Sequence, residues 1–295
     1  MTTRRPLVAV IGLGAMGGPM AHRIATAGFD LVVCDRNELV LAPFAECGAT
    51  ITQSARDCAI ADVILVVVLS GAQVRDVVFG PDGIAAGLPA GRTPILAVMS
   101  TIAPDAMGEL AQAVSSTPMR LIDAPISGGA LRAAEGTLTL ILGGEPSDID
   151  DAAAVWDVLG TRRFHCGGVG SAQAVKLVNN VVADANAMIT AEAYRLALEL
   201  GLSLQDTIPV LEASTGRNYL SERPGEAVAS YATWTQTRGT FAALTATMRK
   251  DVGLAVTAAA RVPGDYPVME QLAAALNAAG DHTYETWCAV GAAGA

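Results

Sequence analysis

Short β-branched runs, several of them apolar at every position, alternate with stretches of helical period through the first half of the chain. That alternation restricts the fold more than any other feature. Leu7 to Ile11, Leu31 to Cys34, Val63 to Leu69, Ile95 to Met99, Leu121 to Asp123 and Leu138 to Leu142 read as strands. Strands without a polar side are buried on both faces, the pattern of a parallel sheet covered by helices. The stretches near Met16 to Ala27, Ala72 to Val78, Ala106 to Val114 and Ile149 to Leu159 have the helical spacing to supply that cover. The pattern predicts a doubly wound α/β domain of Rossmann type over residues 1–166.

Beyond Cys166 the strand signals stop. Ser171 to Leu200 holds neither proline nor glycine, enough for about 45 Å of helix at roughly 1.5 Å per residue. More helical segments follow, with breaks expected at Pro209, Gly216, Pro224, Gly239 and Pro263. Residues 167–295 are therefore expected to form an all-helical domain that opens on this long helix. A chain of 295 residues can bury both cores.

Composition excludes several function classes. Nineteen Lys and Arg face 29 Asp and Glu, a net charge of −10 that disfavours nucleic acid as a partner. Five cysteines, Cys34, Cys47, Cys58, Cys166 and Cys288, show no C-x-x-C pair, so neither a disulfide framework nor a structural zinc site is expected and a reducing cytoplasm fits. His22, His165 and His282 lack metal-ligand spacing, and no metal is expected. The opening MTTRRPLVAVIGLGAMG resembles a signal peptide until Gly12, Gly14 and Gly17 break the apolar run, which reads instead as a strand and a turn. The longest apolar run, Val63 to Leu69, is too short to cross a bilayer, so no membrane partner is expected.

The first chemical motif is GLGAMG, Gly12 to Gly17, which follows a predicted strand and opens a predicted helix. Gly12 permits the tight turn, Gly14 lets backbone approach a pyrophosphate and Gly17 lets helix and strand pack closely. Leu13, Ala15 and Met16 complete the cofactor-binding turn. A plain β-turn is the alternative, but the strand-turn-helix context and Asp35 at the end of the second strand favour a dinucleotide. Asp35 would accept ribose hydroxyls and so favours NAD, whereas Arg36 beside it would suit the 2′-phosphate of NADP.

The second motif, DAPISGG at Asp123 to Gly129, ends a later strand. Ser127, Gly128 and Gly129 offer a hydroxyl and open backbone N–H groups to a substrate carboxylate. The same residues suit a plain strand-exit loop, and only their position at the carboxyl end of a strand, where open α/β sheets bind ligands, tips the choice.

The third is GSAQAVKLVNN at Gly170 to Asn180. Gln173, Lys176, Asn180 and Asp184 fall on one face of a helix that is otherwise apolar. Such a stripe faces water on a surface helix and lines a cleft on a buried one, and its amides with a single lysine favour the cleft. Lys176 could act as general acid and base once burial brings its pKa down from about 10.4, with Asn180 orienting the substrate. In STGRN, Ser214 to Asn218, Arg217 and Asn218 could bind the distal end of a polar substrate, or simply form a surface turn.

Taken together, GLGAMGGPMA, STIAP at Ser100 to Pro104, DAPISGG, GTLTLILGG at Gly136 to Gly144, the lysine-to-asparagine helix and RKD at Arg249 to Asp251 resemble the β-hydroxyacid dehydrogenases, the family of 3-hydroxyisobutyrate dehydrogenase and tartronate semialdehyde reductase. The resemblance implies that Lys176 is catalytic and Asn180 orients substrate. It also implies that Ser127, Gly128 and Gly129 bind the carboxylate, that Thr101 lies by nicotinamide and substrate, and that Lys250 reaches the cofactor. It implies a Rossmann domain joined by a long interdomain helix to an all-helical substrate and oligomerisation domain, over residues 167–295, that mediates homodimers or homotetramers. Two positions depart from the family: Val98 stands where many relatives have an acid, and Asp35-Arg36 mixes two cofactor signals. An imine reductase shares the general plan but generally lacks the lysine. A non-catalytic NAD sensor would have no need of the lysine and asparagine.

Overall fold

In the computed structural model, which describes residues 5–222 and 224–293, the chain divides into two compact units, the first ending at Lys176 and the second beginning at Leu177. The first four residues of the arginine-flanked start lie outside the described residues.

The first unit comprises β1 (Val8–Ile11), α1 (Gly17–Thr26), β2 (Leu31–Cys34), α2 (Glu38–Glu46), β3 (Thr50–Thr52), β4 (Val63–Val66), α3 (Gly71–Phe79), α4 (Ile84–Gly87), β5 (Ile95–Val98), α5 (Pro104–Val114), β6 (Arg120–Asp123), β7 (Ile126–Ser127), α6 (Gly129–Glu135), β8 (Leu138–Leu142), α7 (Pro146–Asp151), α8 (Ala153–Leu159) and β9 (Gly160–His165). Six strands form a parallel sheet in the order β3-β2-β1-β4-β5-β6. Val8 stands in register with Leu31 on one side and Val63 on the other, so the strand order reverses about β1. That reversal is the switch point where doubly wound sheets bind nucleotides.

Every residue of β1, β2, β4 and β5 is buried. Alternate side chains feed two cores: Val8 and Val10 pack on one face with Met20, Ile24 and Trp156, and Ala9 and Ile11 on the other with Val74, Val78 and Leu110. A smaller sheet, β7-β8-β9, pairs β8 antiparallel to β7 and parallel to β9.

Helix α9 (Ser171–Glu199) begins in the first unit and continues into the second. It ends in a Schellman motif: Gly201, at φ 77°, donates to the Leu198 carbonyl, and Leu202 N–H donates to that of Ala197. The second unit continues with α10 (Leu204–Glu212), α11 (Pro224–Trp234), α12 (Arg238–Ala259), α13 (Pro267–Ala278) and α14 (Asp281–Ala292).

Two expected helix breaks are absent. Pro209 lies inside α10 and Gly239 in the first turn of α12. A proline removes the bond its own nitrogen would donate and crowds the carbonyl four residues back, yet α10 continues through it and keeps its buried anchors Leu204 and Ile208. Gly239 sits just after the cap, where Thr237 Oγ1 accepts from Thr240 N–H at 3.0 Å.

Aromatic rings form the centre of the second core. Trp287, 1% exposed, has its ring centroid 5.4 Å from Tyr231 and 5.5 Å from Phe241, both near edge-on. Tyr231 in turn donates its hydroxyl to the Ala187 carbonyl of α9 at 2.8 Å. Trp287→Ala should destabilise the second unit by about 3–5 kcal/mol, read as a fall in its thermal midpoint. A midpoint within a degree or two of the parent would show that the ring is not central to this core.

Candidate active site

The glycine turn is built by close approach. Gly12, at φ 93°, donates its N–H to the Cys34 carbonyl at 2.8 Å, and a Cβ there would stand 2.2 Å from the Val67 carbonyl oxygen. A Cβ on Gly17 would meet the Gly12 carbonyl oxygen at 1.8 Å. Neither position admits a side chain. Gly14 is different, because its Cβ direction meets no atom within 4 Å. Two glycines thus bring α1 onto the end of β1, and the third leaves backbone open at the N-terminus of α1, where an anion is favoured.

Asp35, directly after β2, accepts from Leu13 N–H at 2.7 Å through Oδ2 and from Asn37 N–H at 2.9 Å through Oδ1. The acid therefore ties down the glycine turn itself, a role the sequence did not suggest. Each carboxylate oxygen keeps a further lone pair for a ribose hydroxyl. Arg36 points elsewhere: its side chain is 85% exposed and pairs with Asp76 at 2.6 Å. An open Gly14, a helix N-terminus and a fixed carboxylate together fit a dinucleotide.

The start of α9 is held to the carboxyl ends of β5 and β6 by a buried polar junction. Gln173 is fully buried. Its Nε2 donates to the Ser100 carbonyl at 3.0 Å, and its Oε1 accepts from Ile102 N–H at 3.1 Å. Its own backbone N–H donates to Asp123 Oδ2 at 3.0 Å. Ser100 Oγ in turn accepts from Val68 N–H at 2.9 Å. Thr101, between the two groups that Gln173 engages, is half-buried. Lys176, one turn beyond Gln173 on the same face of α9, is 8% exposed.

The carboxylate loop follows Asp123. Gly128 and Gly129 have φ of 138° and 73°, and Cβ space at Gly129 is open to 4 Å. Ser127 is half-buried, and both glycines are exposed. Among the sequence-derived residues of the first unit, the structure thus gathers Gly12 to Gly17 around Asp35, and places Thr101 and Lys176 on segments joined by Gln173. Asp123 anchors the strand that leads into Ser127.

Within the second unit, Asn180 donates through Nδ2 to Asp251 Oδ2 at 2.6 Å, and Lys250 Nζ pairs with Asp251 Oδ1 at 2.8 Å. Asp251 is 5% exposed and joins the two residues. Sequence reasoning placed Asp251 in a motif without giving it a partner, and its only signal was an acid next to a lysine. Arg217 and Asn218 take other partners. Arg217 Nε pairs with Glu212 at 3.0 Å. Asn218 accepts from Leu220 N–H at 2.8 Å and donates to Thr190 Oγ1 at 3.1 Å, an Asx turn with local partners.

Fold and turn define a dinucleotide-binding oxidoreductase plan, and comparison with known proteins narrows it. Residues 7–168 match the family model described as the NAD-binding domain of 6-phosphogluconate dehydrogenase. Residues 170–287 match that described as NAD-binding of NADP-dependent 3-hydroxyisobutyrate dehydrogenase. A 3-hydroxyisobutyrate dehydrogenase of Pseudomonas aeruginosa is 34% identical over 88% of both chains. An NAD-dependent L-serine dehydrogenase of the same species is 33% identical over 85% of both. The solved structure of Mycobacterium tuberculosis 3-hydroxyisobutyrate dehydrogenase with L-serine superposes with a TM-score of 0.77 at 30% identity, covering 97% of this chain and 98% of that one. The chain belongs to the β-hydroxyacid dehydrogenase family.

Asp123 also carries a pH signature. Burial pushes its carboxyl above the usual range, opposed by the N–H groups of Gln173, Gly170 and Ala172. A carboxyl that holds its proton more tightly folded than unfolded adds stability below its unfolded value of about 4, and this is lost as pH rises through the folded value. Asp123→Asn, with no proton to lose there, should therefore gain thermal stability relative to the parent as pH rises from about 4 towards neutrality. A melting difference independent of pH over that window would contradict the assignment.

Proposed function

We propose that this chain reversibly oxidises a 3-hydroxy carboxylic acid to its semialdehyde, with Lys176 moving the hydroxyl proton. NAD is the expected cofactor and NADP the second. The backbone of residues 12–17 and Asp35 would hold the dinucleotide, which when bound supplies the hydride acceptor at its nicotinamide. The observation that carries the reading is Lys176: a lysine 8% exposed, one turn along α9 from the residue that fastens this helix to the Thr101 segment.

Lys176 Nζ, as the free amine, accepts the proton from the substrate's 3-hydroxyl while the C–H electron pair leaves the same carbon, and a C=O bond forms. In the reverse direction the ammonium returns that proton to the developing alkoxide. Ser127 Oγ and the N–H groups of Gly128 and Gly129 hold the carboxylate. Asn180, its amide oriented by Asp251, hydrogen-bonds the substrate, and Lys250 supports the cofactor. The relatives named for 3-hydroxyisobutyrate and L-serine support a short 3-hydroxy acid, and Arg217 and Asn218 remain proposed contacts for its distal group. An imine reductase is the second reading of this plan, and the lysine at position 176 weighs against it.

The test is a panel of 3-hydroxyisobutyrate, L-serine, glycerate and threonate with NAD or NADP, followed by absorbance of the reduced nicotinamide. Lys176→Ala should lower turnover by about 100-fold or more and leave dinucleotide affinity nearly unchanged. Full activity in that variant would sink the mechanism.

Among the described residues no helix is long and apolar enough to cross a membrane, and the cytoplasm is the compartment we propose. A homo-oligomer is supported by α9, where Val178, Val182, Ile189 and Leu196 are 69%, 57%, 60% and 59% exposed. Their spacing of four, seven and seven residues aligns them as one apolar stripe, suited to a second copy of the chain. Sedimentation should give a dimer or tetramer, and Ile189→Asp should shift it towards monomer. A parent protein that sediments as a monomer would overturn this.

A further inference from the structure

Gln173 reads in the sequence as one member of a polar stripe. It is nevertheless fully buried, and its amide is spent on two main-chain groups that flank a single residue. The Ser100 carbonyl precedes the Thr101 peptide nitrogen and the Ile102 N–H follows the Thr101 carbonyl. Nε2 and Oε1 engage them at 3.0 and 3.1 Å. The result is a clip across Thr101, fixed on both sides, on a side chain one helical turn before Lys176. Its own N–H is anchored to the buried Asp123 at 3.0 Å.

We infer that Gln173 is a positioning residue for the oxidation: it sets where Thr101 stands relative to Lys176. This rests on the reading of Lys176 as the proton-transfer group. Only a primary amide fits the clip as built, because one end must donate and the other accept along the same edge. Methionine has nearly the same length and volume but makes neither bond. Glutamate keeps the acceptor for Ile102 and, once ionised, sets an oxygen against the Ser100 carbonyl. Losing the clip leaves an N–H and a carbonyl unpaired in a buried place and frees the Thr101 segment to shift by fractions of an ångström. Displacement of that size costs rate more than affinity when it separates reacting groups.

The test compares Gln173→Met and Lys176→Ala with the parent in the full chain. It uses whichever hydroxy acid of the panel the parent oxidises fastest. Turnover is expressed per dinucleotide bound, alongside KM, the NAD dissociation constant and the thermal midpoint. For Gln173→Met the expected result is a fall in kcat of about tenfold or more, with KM and NAD affinity within about threefold of the parent. A smaller loss of kcat while Lys176→Ala is inactive would overturn the positioning role and leave the proposed function standing. A parallel collapse of NAD affinity would also overturn it, since a general loosening of the unit reaches the glycine turn too. An active Lys176→Ala would instead remove the function on which the role depends. Should Gln173→Met fail to fold, Gln173→Glu carries the same comparison and is read in the same way.

Discussion

The first turn of α9 is fastened to the first unit by a small buried polar junction. Asp123 and Gln173 are both fully buried, and an unpaired polar group in such a place costs on the order of 1–3 kcal/mol. The penalty gives the junction its precision. The main-chain groups that meet Gln173 and Asp123 are held by directional hydrogen bonds, so a slip of α9 along its axis would strand several at once. A hydrophobic seat would tolerate such a slip far better, because apolar contact has no direction. The lysine one turn later inherits the directionality of the bonds beneath it.

The glycine turn applies the same logic by different means. At Gly12 and Gly17 the limit is steric, since main-chain oxygens already occupy the space a Cβ would need. Asp35 then adds a polar tie to Leu13 and Asn37. The acid that would face a ribose is thus already rigid, so little ordering cost remains for the moment of binding. The charge at Arg36 is not held in this way. Its pair with Asp76 is on the surface, where such pairs contribute little, and it is free to turn.

What could be read from the sequence follows burial. Strands β1, β2, β4 and β5 are apolar throughout because helices cover both faces, and each stood out from the residues alone. Strand β3 was missed: three residues at the sheet edge, none of them fully buried, give no run to detect. Strand β9 was hidden for a related reason. Five of its six residues are exposed, Arg162 and Arg163 among them, and charges on an edge strand guard against unwanted pairing while erasing the strand signal. Helix α2 carries Pro43 inside it, which argues against a helix for anyone reading from residue types. At the site, the stripe on α9 was visible, but helical spacing cannot separate a residue facing a ligand from one buried against main chain. Gln173 belongs to the second kind and Lys176 to the face proposed for chemistry, and only the partners of Gln173 distinguish them.

The placement of the tryptophans gives the molecule a built-in optical division. Trp156 lies in the first unit, wholly buried, with its indole N–H donating to the Ile149 carbonyl at 3.0 Å. Trp234 and Trp287 lie in the second, with ring centroids 5.6 Å apart. The emission of one indole therefore reports on the nucleotide-binding unit, while a close pair of mutually interacting indoles reports on the helical one. Each half of the chain carries its own intrinsic fluorophore, and no label has to be attached to watch either.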